Sequence, residues 1–309
     1  MSLLLLKQIA AMFLMVGVGV LLVKLRILQS SASRTISLLC IYVVAPCAIV
    51  RSFQLELTQE LLRNFLFIVL VAVALHVLLM VIAFVLKRLG LDGVERASVL
   101  YSNCANLLFP IVAAVLGSEW VVYSSGFFCV QTFFLWSHGK ALVSGEAKPE
   151  WKKLLTNCNL IAVFVGLALM LLRIELPDVL STALNGFAST LAPLSMLIIG
   201  ILLANADLNA IFAQRRVWLV AALKLLALPL LALPLLKLAS LFPGAPADAK
   251  SLLYTSFLAV AAPTATMITQ LAQLHERRPE YAGAINVMTT LLCIATMPLL
   301  TELYMRFIS

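Results

Sequence analysis

The chain has 309 residues, of which 63% are hydrophobic and only 12% are charged, with a formal net charge of +8. Soluble domains are about 45–50% apolar and about 25% charged. This composition therefore excludes a disordered chain, a nucleic-acid-binding protein and almost any soluble enzyme. It predicts an all-α, multi-pass membrane protein that is embedded in the lipid bilayer.

Apolar runs separated by short polar connections recur ten times along the chain. A membrane-spanning helix needs about 20 mostly apolar residues, so each run is predicted to be one span. The predicted spans are Leu3–Leu25, Thr35–Phe53, Leu62–Leu86, Val94–Gly117, Trp120–Gly139, Leu155–Leu172, Val179–Ala204, Val217–Leu238, Ala249–Leu274 and Tyr281–Ile308. An even number of spans places both termini on the same side of the membrane.

The distribution of Lys and Arg predicts which side that is. With both termini outside, 14 of the 22 basic residues fall in inward-facing connections and 7 in outward-facing ones, while Lys224 lies within a span. Cytoplasmic loops carry the excess of Lys and Arg. The N- and C-termini are therefore predicted to lie outside.

The most polar connection, residues 140–154, divides the chain into two groups of five spans, residues 1–139 and 155–309. Because five is odd, a repeat relating the two halves must be inverted in the membrane. Corresponding spans of the two halves share three features. These are Pro46 and Pro193, Pro110 and Pro263, and the titratable side chains His76 and Lys224. Inverted repeats with interrupted helices in matching positions are typical of secondary transporters.

The fourth and ninth spans carry the residues most suited to bind a solute. A proline inside a helix removes one backbone hydrogen bond, and a freed carbonyl in lipid needs another partner or a cavity. Both spans also carry polar side chains beside their proline. The predicted substrate-binding residues are Asn103, Asn106, Pro110, Pro263, Thr264 and Thr266. Membrane helices also use Pro and Asn as simple kinks and contacts between helices, but two such spans in matching positions favour a site.

Two further residues are candidates for charge or ion coupling. A Lys within a membrane span costs about 2.5–3.5 kcal/mol on insertion scales, so Lys224 is either a functional cation or a side chain that reaches the cytoplasmic interface. His76 lies deeper in its span, although an isolated histidine of this kind is more often a packed core residue.

Several absences restrict the function further. All 14 Asp and Glu residues lie in connections or at span ends, and the sequence contains no HExxH, GxSxG, CxxC or paired carboxylates. The chain is therefore predicted not to be an enzyme and to hold no cofactor or metal. Sodium coupling through neutral oxygens, proton coupling and uncoupled transport all stay open. A channel-like facilitator, or a carrier of another small solute such as an amino acid, is the alternative.

At these residues the chain resembles the auxin efflux carrier family in its short bacterial form. The likeness covers nearly the whole length. The matching segments are Asn103 to Pro110, Leu135-Trp-Ser-His-Gly139, Leu191-Ala-Pro-Leu-Ser-Met-Leu-Ile-Ile-Gly200, Lys224-Leu225 with Pro229, Ala261-Ala-Pro263, and Ile294-Ala-Thr-Met-Pro298. Each segment is weak alone, but their order and spacing together are specific.

The resemblance implies a ten-helix inverted repeat like that of the bile acid/sodium symporters, in which broken helices 4 and 9 cross. It also implies a scaffold domain and a transport domain that moves like an elevator. The implied substrates are small organic anions such as carboxylates, with Asn103, Pro110 and Pro263 at the crossing and Lys224 as the basic residue of the eighth span. Because the long loop of the plant carriers is missing, a bacterial inner membrane is expected, and a homodimer is compatible with the family.

Overall fold

The computed structural model describes residues 2–29, 32–146, 152, 155–205 and 207–308. Helices account for 82% of the structure. Within the described ranges the only extended pairing is one antiparallel bridge between Ser102 and Thr264. The predicted all-α class is therefore confirmed.

The helices follow the apolar runs of the sequence. In the first half they are α1 (Ser2–Lys24), α2 (Ala32–Leu39), α3 (Ala45–Ser52), α4 (Gln59–Arg88), α5 (Gly93–Leu100), α6 (Phe109–Val115), α7 (Val121–Phe134) and α8 (Lys140–Ser144). In the second half they are α9 (Cys158–Leu171), α10 (Asp178–Ser189), α11 (Leu191–Asn205), α12 (Leu208–Phe212), α13 (Arg215–Ala222), α14 (Leu228–Ser240), α15 (Ala249–Ala261), α16 (Thr266–Leu274) and α17 (Pro279–Ile308).

Among the described residues, five helical stretches are long and apolar enough to cross a membrane. They are Thr35–Ser52, Gln59–Arg88, Asp178–Ala204, Arg215–Ser240 and Pro279–Ile308. Shorter apolar helices include Leu14–Lys24, Cys158–Leu171 and Ala249–Ala261. The chain is thus built as a multi-pass membrane protein, whereas the count of ten spans and the inverted repeat stay predictions.

Helix α4 shows how these helices divide between protein and lipid. One face is buried and includes Ile68, Ala72 and Leu75. The other face is equally apolar but exposed, with Leu70 68% and Val77 53% accessible. A helix that is hydrophobic all round belongs in a large core or a membrane, so the exposed face is suited to lipid.

Three prolines follow five-residue π-helical turns. The turns Cys40–Val44, Cys104–Leu108 and Leu223–Ala227 each end two residues before a proline, respectively Pro46, Pro110 and Pro229. A local π adjustment lets a membrane helix satisfy the backbone groups that a proline frees. The chain consequently continues as a helix through all three positions.

The position of Pro110 in the sequence predicts a break of the fourth span at this residue, but the helix continues through it. The interruption lies earlier, between the end of α5 at Leu100 and the π turn that begins at Cys104. In the ninth span the interruption lies between Ala261 and Thr266 and contains Pro263, as predicted.

The described residues form two compact units. Unit 1 comprises residues up to Leu62, Ala105–Ser125 and Leu155–Ala206, and unit 2 comprises Arg63–Cys104, Gly126–Leu154 and residues from Asp207 onward. Each unit takes segments from both halves of the sequence. The division into repeats at residues 1–139, 140–154 and 155–309 concerns sequence symmetry and stays a prediction.

Unit 1 is held together by close contacts between helices. Helix α1 packs along α11, where Gly19 and Gly200 face each other. A Cβ atom added at Gly200 would lie 2.1 Å from the carbonyl oxygen of Val16. Small residues that let helix backbones approach closely are typical of membrane interfaces.

Candidate functional site

The two helix breaks of unit 2 pair with each other through their backbones. Tyr101 and Ala265 are extended. The N–H of Asn103 donates to the carbonyl of Pro263 at 2.9 Å, and the N–H of Ala265 donates to the carbonyl of Tyr101 at 2.9 Å. Backbone groups at membrane depth must be satisfied within the protein, and here each break satisfies part of the other.

The side chain of Gln131 completes the pairing on the side of the fourth span. Its amide nitrogen donates to the carbonyl of Ser102 at 2.8 Å, and its amide oxygen accepts from the N–H of Ser102 at 3.2 Å. Neither residue was predicted from the sequence. The available signal was an amide side chain within the otherwise apolar, aromatic-rich segment from Tyr123 to Phe134.

On the side of the ninth span, Thr264 is held by its own hydroxyl and by two polar side chains of the last helix. The hydroxyl of Thr264 donates to the carbonyl of Ser98 at 2.8 Å. The amide of Asn286 donates to the carbonyl of Thr264 at 2.9 Å, and the hydroxyl of Thr289 accepts from its N–H at 3.2 Å. Asn286 and Thr289 were also missed, although their i, i+3 spacing in the last span placed them on one helix face.

Lys224 joins the two breaks. Its ammonium group donates to the hydroxyl of Ser102 at 2.6 Å and to the carbonyl of Val260 at 3.2 Å. The side chain is fully buried, so it does not reach the cytoplasmic interface. In the part of the chain that the structure describes, no carboxylate forms an ion pair with it.

His76 is placed differently. Its ring stacks on Phe134 with centroids 5.1 Å apart and contacts Phe127 at 5.3 Å. Nδ1 lies 2.7 Å from the carbonyl oxygen of Ala72 within the same helix. This is the packing of a buried core histidine, and no described hydrogen bond connects it to the paired breaks.

The six predicted substrate-binding residues divide between the two units. Asn103, Pro263, Thr264 and Thr266 lie in unit 2 at the paired breaks, whereas Asn106 and Pro110 lie in unit 1. Thr264 is fully buried and Thr266 is half-buried at the start of α16. The side chain of Asn106 lies outside the described part of the structure.

A second cluster of charged and polar side chains in unit 2 surrounds Glu95. The carboxylate is 1% exposed and accepts from the hydroxyl of Tyr281 at 2.8 Å and from Arg216 at 3.0 Å. It also completes a capping box with Asp92 at the start of α5. These contacts join α5 to α13 and α17. Helix α5 ends at Leu100, directly before the fourth-span break.

Comparison with protein families decides what kind of molecule carries this arrangement. A family model described as "Membrane transport protein" matches residues 4–150 and 145–301. The chain belongs to this family. It is the family of the auxin efflux carriers, so the resemblance seen in the sequence is confirmed. No curated protein matches the chain significantly.

Membership of this family identifies the chain as a membrane transporter. The family is one of transporters and not of enzymes, in agreement with the lack of catalytic motifs. Within the described residues no group of His, Cys, Asp or Glu side chains could hold a metal ion. The paired breaks with Lys224 are the candidate site of this transporter.

Proposed function

We propose that the protein is a secondary carrier of small organic anions such as carboxylates, with the substrate bound where the fourth and ninth helices break. The observation that carries this proposal is Lys224, a fully buried lysine whose described hydrogen-bond partners are neutral oxygens. Ionisable residues inside membrane proteins are costly and mark the pathways of ions and substrates. An anion at the breaks would supply the missing countercharge.

The surrounding groups suit a carboxylate. Helix α16 begins at Thr266, and its first N–H groups and positive dipole end favour an anion. Asn103 is 8% exposed and lies directly at the fourth-span break. Broken helices whose N-terminal ends face an anionic group are a recurring feature of secondary transporters.

The proposed assignment of residues follows from these positions. Asn103, Thr266 and the backbone beside Pro263, all in unit 2, would contact the substrate. Substrate binding by Asn106 and Pro110, which lie in unit 1, stays a prediction from the sequence. The hydroxyl of Thr264 is already engaged by Ser98, so Thr264 would hold the break in shape.

The proposed coupling uses Lys224 as a built-in cation. Its two acceptors are a hydroxyl and a carbonyl oxygen, which are oxygen types that also coordinate metal cations. A protonated Lys224 would supply the positive charge at this position, so transport would not need sodium. His76 is the alternative proton carrier, but its contacts are those of a core residue.

The proposed mechanism is of the elevator type in a bacterial inner membrane, with both termini outside. Unit 2 would be the moving transport domain and unit 1 the scaffold. The described buried side chains that are charged or carry an imidazole ring, namely His76, Glu95, Lys140 and Lys224, all lie in unit 2. This distribution supports unit 2 as the part that handles charge.

Counterflow in proteoliposomes tests the proposal. Purified protein is preloaded with malate, malonate, succinate, lactate, butyrate or indole-3-acetate, and exchange is measured with and without sodium and a pH gradient. We expect accelerated exchange for at least one acid without sodium. Large fluxes without counterflow would instead indicate a channel-like facilitator. If folded protein exchanged amino acids and no carboxylate, the anion assignment would be wrong.

A further inference from the structure

Unit 1 contains an open cavity in which Pro110 is the one lining residue that the sequence predicts to bind substrate. Its volume is about 560 Å³, which falls in the range of about 300–1,000 Å³ that is usual for small-molecule pockets. Its polar lining consists of Arg51, Ser118, Asn185 and Ser189. The other lining residues are apolar and mostly alanine.

Arg51 is the one charged side chain in the described lining of this cavity. It lies in the last turn of α3, where a cation is favoured by the helix dipole. Its Nε donates to the side-chain oxygen of Asn185 in α10. The described hydrogen bonds of Arg51 thus use only its Nε. The guanidinium group has further N–H donors, whose planar arrangement matches a carboxylate.

A smaller cavity of about 270 Å³ shares Arg51, Ser118 and Asn185 with the larger one. Its lining also includes the carboxylate of Glu119. The shared residues thus have an apolar, alanine-lined space on one side and an anionic residue on the other. This arrangement can accept one negative charge at Arg51, but a second one would face either apolar walls or Glu119.

We propose that the Arg51 cavity is a second anion-binding site, separate from the helix breaks, which takes a small monocarboxylate with an apolar body. The carboxylate pairs with Arg51 and Asn185, and the hydrocarbon part lies against alanine side chains such as Ala113 and Ala188. A dicarboxylate binds more weakly because its second carboxylate would face the carboxylate of Glu119 or the alanine side chains. That this anion is also transported rests on the proposed function.

Cysteine labelling tests this site without measuring transport. In a variant whose six native cysteines are replaced, Ser189→Cys places a thiol in the cavity wall. We expect an anionic methanethiosulfonate reagent to modify this thiol about tenfold faster than a cationic one, which corresponds to about 1.4 kcal/mol. Butyrate should slow the reaction, and succinate at the same concentration should slow it much less.

Substitutions of arginine provide the controls. Arg51→Gln should abolish both the preference for the anionic reagent and the protection by butyrate, whereas Arg51→Lys should keep the preference. Arg173→Gln, which neutralises an exposed arginine elsewhere in unit 1, should leave both unchanged. Size-exclusion chromatography confirms that each variant is folded.

The outcomes separate this inference from the proposed function. If carboxylates exchange in counterflow but butyrate never protects the Ser189→Cys thiol, the second site is wrong and the carrier function stands. Protection without any carboxylate exchange would support the site and contradict the carrier function. Equal protection by succinate and butyrate would overturn the preference for a single charge.

Discussion

The two units of this transporter bury different kinds of residue. In unit 2 the buried described residues include Glu95, Lys224 and His76, whereas Arg51, which lines the cavity of unit 1, is only half-buried. Unit 1 instead brings the backbones of α1 and α11 together at Gly19 and Gly200. Close backbone contact and buried polar contacts are two distinct ways to hold membrane helices together.

This difference has a functional consequence. The Gly19–Gly200 contact itself contains no charged side chain, so it joins two helices without a group that an anion could neutralise. In the proposed function, a protonated, buried Lys224 with neutral partners would gain a countercharge when an anion binds. Under the proposed function, unit 2 would therefore gain interaction energy from a substrate, which is the property expected of the part that carries it.

The largest expected effect on stability is a substitution in unit 1. Gly200→Ala places a methyl group against the backbone of α1, and such overpacking costs typically 1–3 kcal/mol. We expect a loss of about 3 kcal/mol in the free energy of unfolding, measured in detergent. Gly186→Ala in the same unit is the control, because a Cβ atom there meets nothing within 4 Å. Equal effects of the two variants would show that the close packing of α1 and α11 is not what holds unit 1 together.

The next effect concerns the buried carboxylate of unit 2. Glu95→Gln weakens charge-assisted hydrogen bonds to Arg216 and Tyr281, and hydrogen bonds to charged groups contribute about 1.5–3 kcal/mol. We expect a loss of about 2 kcal/mol in the free energy of unfolding. The matched control is Glu302→Gln, because Glu302 pairs with Arg306 on the surface at i, i+4, where a pair contributes about 0.5 kcal/mol or less. A Glu95→Gln variant as stable as this control would argue against a structural role for the buried carboxylate.

A smaller effect is expected at the hydroxyl that binds Lys224. Ser102→Ala removes the 2.6 Å hydrogen bond to the ammonium but leaves the backbone contacts of Ser102 with Gln131 in place. We expect the lost hydrogen bond to weaken substrate interaction by about 1.5 kcal/mol. This corresponds to about a tenfold fall in the ratio of the maximal exchange rate to KM. The control is Ser256→Ala, which removes another buried hydroxyl of unit 2. Parallel losses in both variants would mean that packing, and not the bond to Lys224, is responsible.

Much of the architecture was predictable from local sequence patterns. Runs of apolar residues predicted the helices, and Pro263 predicted the ninth-span break. Lys224 stood out because a charge inside an apolar run is rare. The fourth-span break was predicted at Pro110, after its actual position. The π turn before Pro110 lets the helix continue through the proline. The local sequence pattern does not reveal such a turn.

The contacts around the site could not be predicted in the same way. Gln131 and Asn286 reach the breaks from other spans, at sequence separations of 29 and 22 residues. The Glu95–Arg216 pair spans 121 residues. No periodicity within one helix encodes which distant helix it will contact, so these partners appear only in three dimensions.

The central claim is that Lys224 provides the positive charge that an anionic substrate meets at the helix breaks. The most direct test is sodium-free counterflow of the exchanged carboxylate by the wild type and Lys224→Met, with Lys237→Met as the control in the same span. Loss of about 2.7 kcal/mol of charge-assisted interaction predicts about a 100-fold fall in exchange for Lys224→Met and little change for Lys237→Met. Wild-type exchange by a folded Lys224→Met variant would contradict the account.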